Sequence, residues 1–182
     1  MKKMFLFTAA FCLIAFAASA QKFGTRAGKV AFYSTAGLEE IEAHNSSATS
    51  AIDAATGKIQ MAVLVKGFMF EKALMQEHFN ENYLESDKYP KASFDGMITN
   101  ISAVKFKKDG TYPITIKGKL TMHGVTKDIE TTGSIVVKGG KVSASALFNV
   151  KCEDYNIAIP AAVKDKIAKV TKIAVNCDYT AM

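Results

Sequence analysis

From Gly57 onward, apolar and polar residues alternate with a period of two, the pattern of strands that bury one face and wet the other. Ile59, Met61, Val63 and Val65 share one side, against Gln60 and Lys66, and Ala92, Phe94 and Ile98 oppose Ser93, Asp95 and Thr99. Tyr112, Ile114, Ile116, Leu120 and Met122 face away from Thr115, Lys117, Lys119 and Thr121. Ile129, Thr131, Ile135 and Val137 stand against Asp128, Glu130, Thr132 and Ser134, and Val142, Ala144, Ala146, Phe148 and Val150 continue the pattern. Ile173, Val175, Cys177 and Tyr179 end it, opposed by Lys172, Asn176 and Asp178. Upstream, Lys29 to Thr35 predicts a first strand, while Leu38, Ile41 and Ala43, interleaved with Glu39, Glu40 and Glu42, fit either a helical turn or a strand.

The dipeptides Asp109-Gly110, Gly139-Gly140 and His123-Gly124 predict tight hairpins between these strands. Short loops make neighbours antiparallel. A sheet this long must stack or close on itself, and one-sided alternation in hairpin order predicts an all-β fold, a closed antiparallel barrel. The alternation alone would also permit a sandwich.

Over Glu71 to Leu84 the period changes. Met75, Phe79 and Tyr83 recur at four-residue steps beside Leu74, with Gln76, Glu77, Asn80 and Glu81 on the other side, which predicts a short amphipathic helix between two strands. Ser86, Asp87 and Pro90 end it. Phe68, Met69 and Phe70, just before it, are expected to pack beneath it.

The N-terminal end changes the picture of where the chain works. Residues 1–20 join Lys2 and Lys3 to an apolar run and the ending Ala18-Ser19-Ala20, the composition of a secretory signal peptide cut before Gln21, so residues 21–182 are expected as one mature domain, periplasmic or secreted. Bulky Phe11 before Cys12 argues against a lipoprotein signal, and no later segment has the roughly 20 apolar residues of a membrane-spanning helix. The formal charge is +6, part of it in the leader, and the remaining lysines are interleaved with acids, which gives no continuous basic stripe for nucleic acid. Cys152 and Cys177 remain after processing, as a candidate disulfide or as two buried thiols.

Reactive chemistry finds little support in the sequence. His78 has Glu77 and Glu81 nearby but lacks the further ligands a zinc site needs, and His123 sits at a turn with His44 expected in a loop. No Gly-x-Ser-x-Gly elbow, Walker loop or Gly-x-Gly-x-x-Gly turn occurs. Asn45-Ser46-Ser47 and Asn100-Ile101-Ser102 match the glycosylation sequon, to which no function is attached.

Two stretches carry a resemblance. HFNENYLESDKYPKASFDG, with Tyr89, Pro90, Ala92 and Phe94, and ITIKGKLTMHGVTKDIETTG, with Gly118, Leu120, Thr121, His123, Gly124, Val125, Thr126 and Lys127, resemble the YceI-like lipid- or polyisoprenoid-binding proteins of bacterial envelopes. The arginine and aspartate that many members place before the helix histidine are absent, since Leu74, Met75, Gln76 and Glu77 precede His78, so no role for those two transfers. The resemblance implies a lipocalin-like barrel of about eight strands with a helix beside its mouth, holding an isoprenoid-like lipid or quinone. It implies no catalytic residue, metal or cofactor. The expected apolar lining is Met61, Val63, Val65, Phe94, Ile98, Ile114, Ile116, Leu120, Ile135, Phe148 and Val175, with Phe79 and Tyr83 from the helix. Candidate polar-end contacts are His78, Tyr83 and Tyr112, and a homodimer is a candidate assembly. Two alternatives stand beside this reading: a non-catalytic envelope protein with a filled barrel and a protein partner, and a metal-assisted hydrolase, which would need His44, His78 and His123 to converge.

Overall fold

The computed structural model describes residues 21–37 and 39–182; the expected leader and Leu38 lie outside them. Nine strands form among the described residues: β1 Lys22–Ala36, β2 Glu39–Asp53, β3 Lys58–Leu64, β4 Met69–Phe70, β5 Lys91–Ile98, β6 Gly110–Met122, β7 Val125–Lys138, β8 Lys141–Lys151 and β9 Val170–Ala181. All pairings are antiparallel. The order β1-β9-β8-β7-β6-β5-β3-β2 is closed by β1 against β2, giving an eight-stranded barrel, with β4 added to β2 at Ala43 and His44. The expected closed barrel is thus the observed one, and a sandwich is not formed.

Turn chemistry explains two of the corners. His123 and Gly124 have φ of 50° and 73°, and Gly139 and Gly140 have 56° and 75°, the paired positive values of the two-residue turn whose twist suits a hairpin. Asp109-Gly110 differs from its expectation. β5 and β6 are joined by residues 99–109, and Asp109 instead accepts a bond from the Gly139 N–H at 3.0 Å. That longer loop folds under the barrel because it carries Ile101, Val104 and Phe106, which bury against the strand ends. The Asn100 side chain fixes it, accepting from Thr115 N–H at 2.9 Å and donating to the Pro113 carbonyl at 3.0 Å.

The ambiguous segment after Gly37 is strand, and it runs on through His44 to Asp53, so His44 is not in a loop. Its inward residues include Ala43, Asn45, Ala48, Ser50 and Ile52, all buried. Small and polar side chains hide the alternation, and a register shift between Asn45 and Ala48 breaks it. β3 leaves β2 at Thr49, and the buried Asn45 amide fills the gap, donating to the Leu64 carbonyl at 3.0 Å and accepting from Ser47 N–H at 2.9 Å. Both sequon asparagines are therefore tied into the barrel frame.

The interior divides into two ends. At one, Phe23, Ile52, Ile98, Val104, Ile135, Val137 and Val142 pack into a solid floor, with Phe23 and Phe106 stacked at 5.1 Å. At the other, the α-helix α1, Ala73–His78, widens into a π-turn over Phe79–Tyr83 and lies across the strand ends. No residue of α1 is buried. Phe79 anchors the segment: its ring lies 5.3 Å from Phe32, 5.7 Å from Phe68 and 5.0 Å from Phe70. Phe68 and Phe70 thus pack beneath the helix as expected, while Met69 is exposed.

Candidate functional site

Between the floor and the helix the barrel is hollow. A cavity of about 550 Å³ runs along the inner face of β9, touching Thr171, Ile173, Val175, Cys177 and Tyr179 in turn. At about 3.3 Å per strand residue, and with the roughly 40° tilt of barrel strands, that row corresponds to a depth of about 20 Å.

The hollow exists because inward positions at this level are small. Ala92, Ala144 and Ala146 line the space, and Ala146 is paired with Gly133 across the β7–β8 ladder. Gly96 and Gly118 oppose each other on β5 and β6, and the Phe94 ring lies across both; a Cβ at either would stand 2.6–2.7 Å from the ring. Phe94 therefore lies back against the wall instead of crossing the lumen, and only glycine gives it that room.

Eleven of the thirteen expected lining residues meet here: Met61, Val63, Val65, Phe79, Tyr83, Phe94, Ile114, Ile116, Leu120, Phe148 and Val175. Ile98 and Ile135 do not. They point inward as their alternation requires, but at floor level, where they are 1% and 0% exposed within solid packing. Tyr112 is also at the floor, donating its hydroxyl proton to the Lys108 carbonyl at 2.8 Å, whereas His78 and Tyr83 are on the cavity wall. The sequence reading missed Val30, Phe32 and Ile41 of the first two strands, and Ile157, Ile159, Val163 and Ile167 of the segment that returns the chain from β8 to β9. In that segment only the Ile157–Ile159 alternation offers a signal, set among lysines and alanines.

Polar groups inside the wall are few and mostly paired. Ser34 Oγ accepts from the Ala168 N–H at 2.9 Å, which ties the returning segment to β1. At the lower end the Tyr179 hydroxyl lies 2.8 Å from Ser50 Oγ, which donates to the Gln60 carbonyl at 2.9 Å; burial pushes the Tyr179 phenol well above its ordinary value. Burial also raises the thiols of Cys152 and Cys177. Both are free. The Cys152 N–H bonds the Lys169 carbonyl at 3.0 Å, and Cys177 is eight residues further along the chain. At about 3.3 Å per residue that separation is roughly 25 Å, far beyond disulfide reach. The candidate bridge is therefore corrected to two separate thiols. Without prior reduction, both are expected to alkylate promptly with iodoacetamide once the chain is unfolded and slowly in the native protein at neutral pH. Resistance of the pair after unfolding would mean that they are bonded.

The three histidines occupy three different settings. His44 lies 2.8 Å from Glu42 and edge-on to the Tyr33 ring, and His78 is on the cavity rim. His123 donates from Nδ1 to the Tyr155 carbonyl at 2.9 Å, holds the Glu85 carboxylate at 2.7 Å through Nε2, and packs edge-on to Tyr89 at 4.8 Å. The β6–β7 turn is thus fastened to the end of the helix and to the segment after β8. A Cβ on Gly124 would stand 2.6 Å from the Tyr89 ring, so the Tyr89 and His123-Gly124 motifs form one packed unit. Among the described residues no three His, Cys, Asp or Glu side chains are grouped to hold a metal ion, and no helix is long and apolar enough to cross a membrane.

The model of the YceI-like domain matches residues 14–179. The chain belongs to the YceI-like family. No curated protein matches it. Among solved structures, the YceI-like chain is similar to a polyisoprenoid binding domain from Saccharophagus degradans implicated in plant cell wall breakdown, with a TM-score of 0.74 at 12% identity, over 90% of this chain and 99% of that one. It is also similar to BcnA of Burkholderia cenocepacia, with a TM-score of 0.68 at 18% identity over 84% and 96% of the two chains. The YceI protein of Campylobacter jejuni gives 0.51 at 17% identity over 100% and 99%. At these identities the likeness is one of fold.

Proposed function

We propose that this YceI-like protein binds a long apolar amphiphile in the barrel lumen, and that it sequesters or carries a polyisoprenoid or quinone-like lipid in the periplasm or outside the cell. The observation that carries the reading is the hollow upper half of the barrel, about 550 Å³ and lined almost throughout by aliphatic and aromatic side chains. That volume falls within the range of about 300–1,000 Å³ typical of small-molecule sites. Each methylene moved from water to such a lining contributes about 0.8 kcal/mol, so a tail of ten would supply roughly 8 kcal/mol, offset in part by the cost of ordering the chain. Binding of this kind requires no reactive side chain. The similarity to a polyisoprenoid binding domain supports the choice of a lipid.

Mass spectrometry of an organic extract of the natively purified protein tests the proposal. About one long-chain lipid per protein is the expected result. A protein that comes away clean and then takes up neither a quinone nor a polyprenol would overturn it, and would favour the filled-barrel alternative.

A further inference from the structure

Among the described side chains, the charged ones that touch the cavity share one sign. Lys72, at the start of the helical segment, and Lys166, in the segment returning to β9, both line it, and the His78 imidazole lies on the same wall; no aspartate or glutamate among the described side chains does. Four lysines elsewhere on the barrel pair with carboxylates: Lys58 with Asp95, Lys66 with Asp87, Lys117 with Glu130 and Lys119 with Asp128. Lys72 and Lys166 have no carboxylate within 4 Å among the described side chains, although Glu71 and Asp165 adjoin them in sequence. They come from the two segments that flank the mouth, so their ammonium groups can reach the rim while their stems lie along apolar wall. Both residues are exposed, as a group that meets a ligand at the water boundary should be.

The opposite end has a different character. The hydroxyls of Tyr179 and Ser50 already satisfy each other and the Gln60 carbonyl, and the surrounding floor is aliphatic and aromatic, so nothing there calls for a charged group. A charge placed at that depth would lose its hydration without a partner.

We propose that the bound amphiphile carries an anionic head, a carboxylate or a phosphate monoester, held at the mouth between Lys72 and Lys166 with its tail pointing to the floor. This rests on the lipid-binding reading and narrows it: a neutral quinone or alcohol of equal length offers the two lysines an uncharged acceptor, which they hold more weakly than an anion. Carboxylate and phosphate share the chemistry that matters here, a compact anion accepting charge-assisted hydrogen bonds.

The test compares matched pairs on delipidated full-length mature protein: palmitate against cetyl alcohol, and a polyprenyl monophosphate against its polyprenol. In each pair that fits the lumen, the anion is expected to bind about tenfold tighter, equivalent to about 1.4 kcal/mol. The double variant Lys72→Gln/Lys166→Gln should erase that preference while still binding the neutral member, and an unchanged melting curve reports that the variant is folded. A preference for the palmitate pair alone identifies a carboxylate head, and for the polyprenyl pair alone a phosphate head. Equal binding of anion and neutral partner in the native sequence, or a preference that survives in the double variant, would overturn the anionic-head inference and leave the lumen site standing. Failure of all four probes to bind would instead overturn the lipid-binding proposal.

Discussion

Replacing Ala146 with Trp is expected to abolish lipid uptake and leave the barrel folded. Ala146 lies on β8 with Gly133 opposite on β7 and Val175 opposite on β9, and its side chain opens onto the cavity. An indole projected from this position occupies the lumen midway and closes the path to the floor. If it displaces even four methylenes of a tail, the loss is about 3 kcal/mol at 0.8 kcal/mol each, a weakening of roughly a hundredfold. The same bulk in a filled core would cost about 1–3 kcal/mol in strain. Here the space is already present, so denaturation should change little. The measurements are a lipid-uptake titration and a melting curve of the same preparation. A well-folded variant that still copurifies with its full complement of lipid would place the ligand outside the lumen.

The second large effect is on stability. Ile135→Ala removes a side chain with no exposure from the plugged end of the barrel, where the neighbouring strands and the 99–109 loop hold the space open. A loss of about 3 kcal/mol is expected, within the 2–5 kcal/mol of buried large-to-Ala changes, and at roughly 2–4 °C per kcal/mol for a domain of this size the melting point should fall by about 10 °C. Ile173→Ala, on the cavity wall, is the control. Its side chain already borders empty space on one side, so in the delipidated protein its loss should be clearly smaller. Equal losses at the two positions, read from denaturant titrations with matched slopes, would show that the upper half is packed as tightly as the lower.

These two isoleucines also mark what the sequence could and could not reveal. Alternation identified the strands from β3 to β9, apart from two-residue β4, and it assigned inward faces correctly, including those of Ile98 and Ile135. It carries no information about depth. Ile116 and Ile135 have the same pattern, yet one borders the cavity and the other is sealed beneath it. The difference is set by the 99–109 loop, whose residues close one end only and whose Asp109-Gly110 signal resembled an ordinary hairpin. β2 was obscure for a different reason: its buried positions Ala43, Asn45, Ala48 and Ser50 are small or polar and give almost no hydrophobic contrast. Closure by β1 against β2 was likewise beyond local pattern, since it joins strands whose own signals were incomplete. The resemblance in the Tyr89-Pro90 and His123-Gly124 stretches favoured closure over a sandwich and suggested the cargo, and the structure gives the reason for those residues: they clasp the helix end to a turn.

The solid floor has a consequence for traffic. A vessel sealed at its base cannot be threaded, so a guest must back out along the path by which it came. Longer guests then have farther to withdraw, and dwell time should grow with chain length more steeply than arrival slows. Under the carrier function proposed above, handing cargo to a recipient becomes an event at the rim alone, with the recipient meeting the protein face-on at the helix.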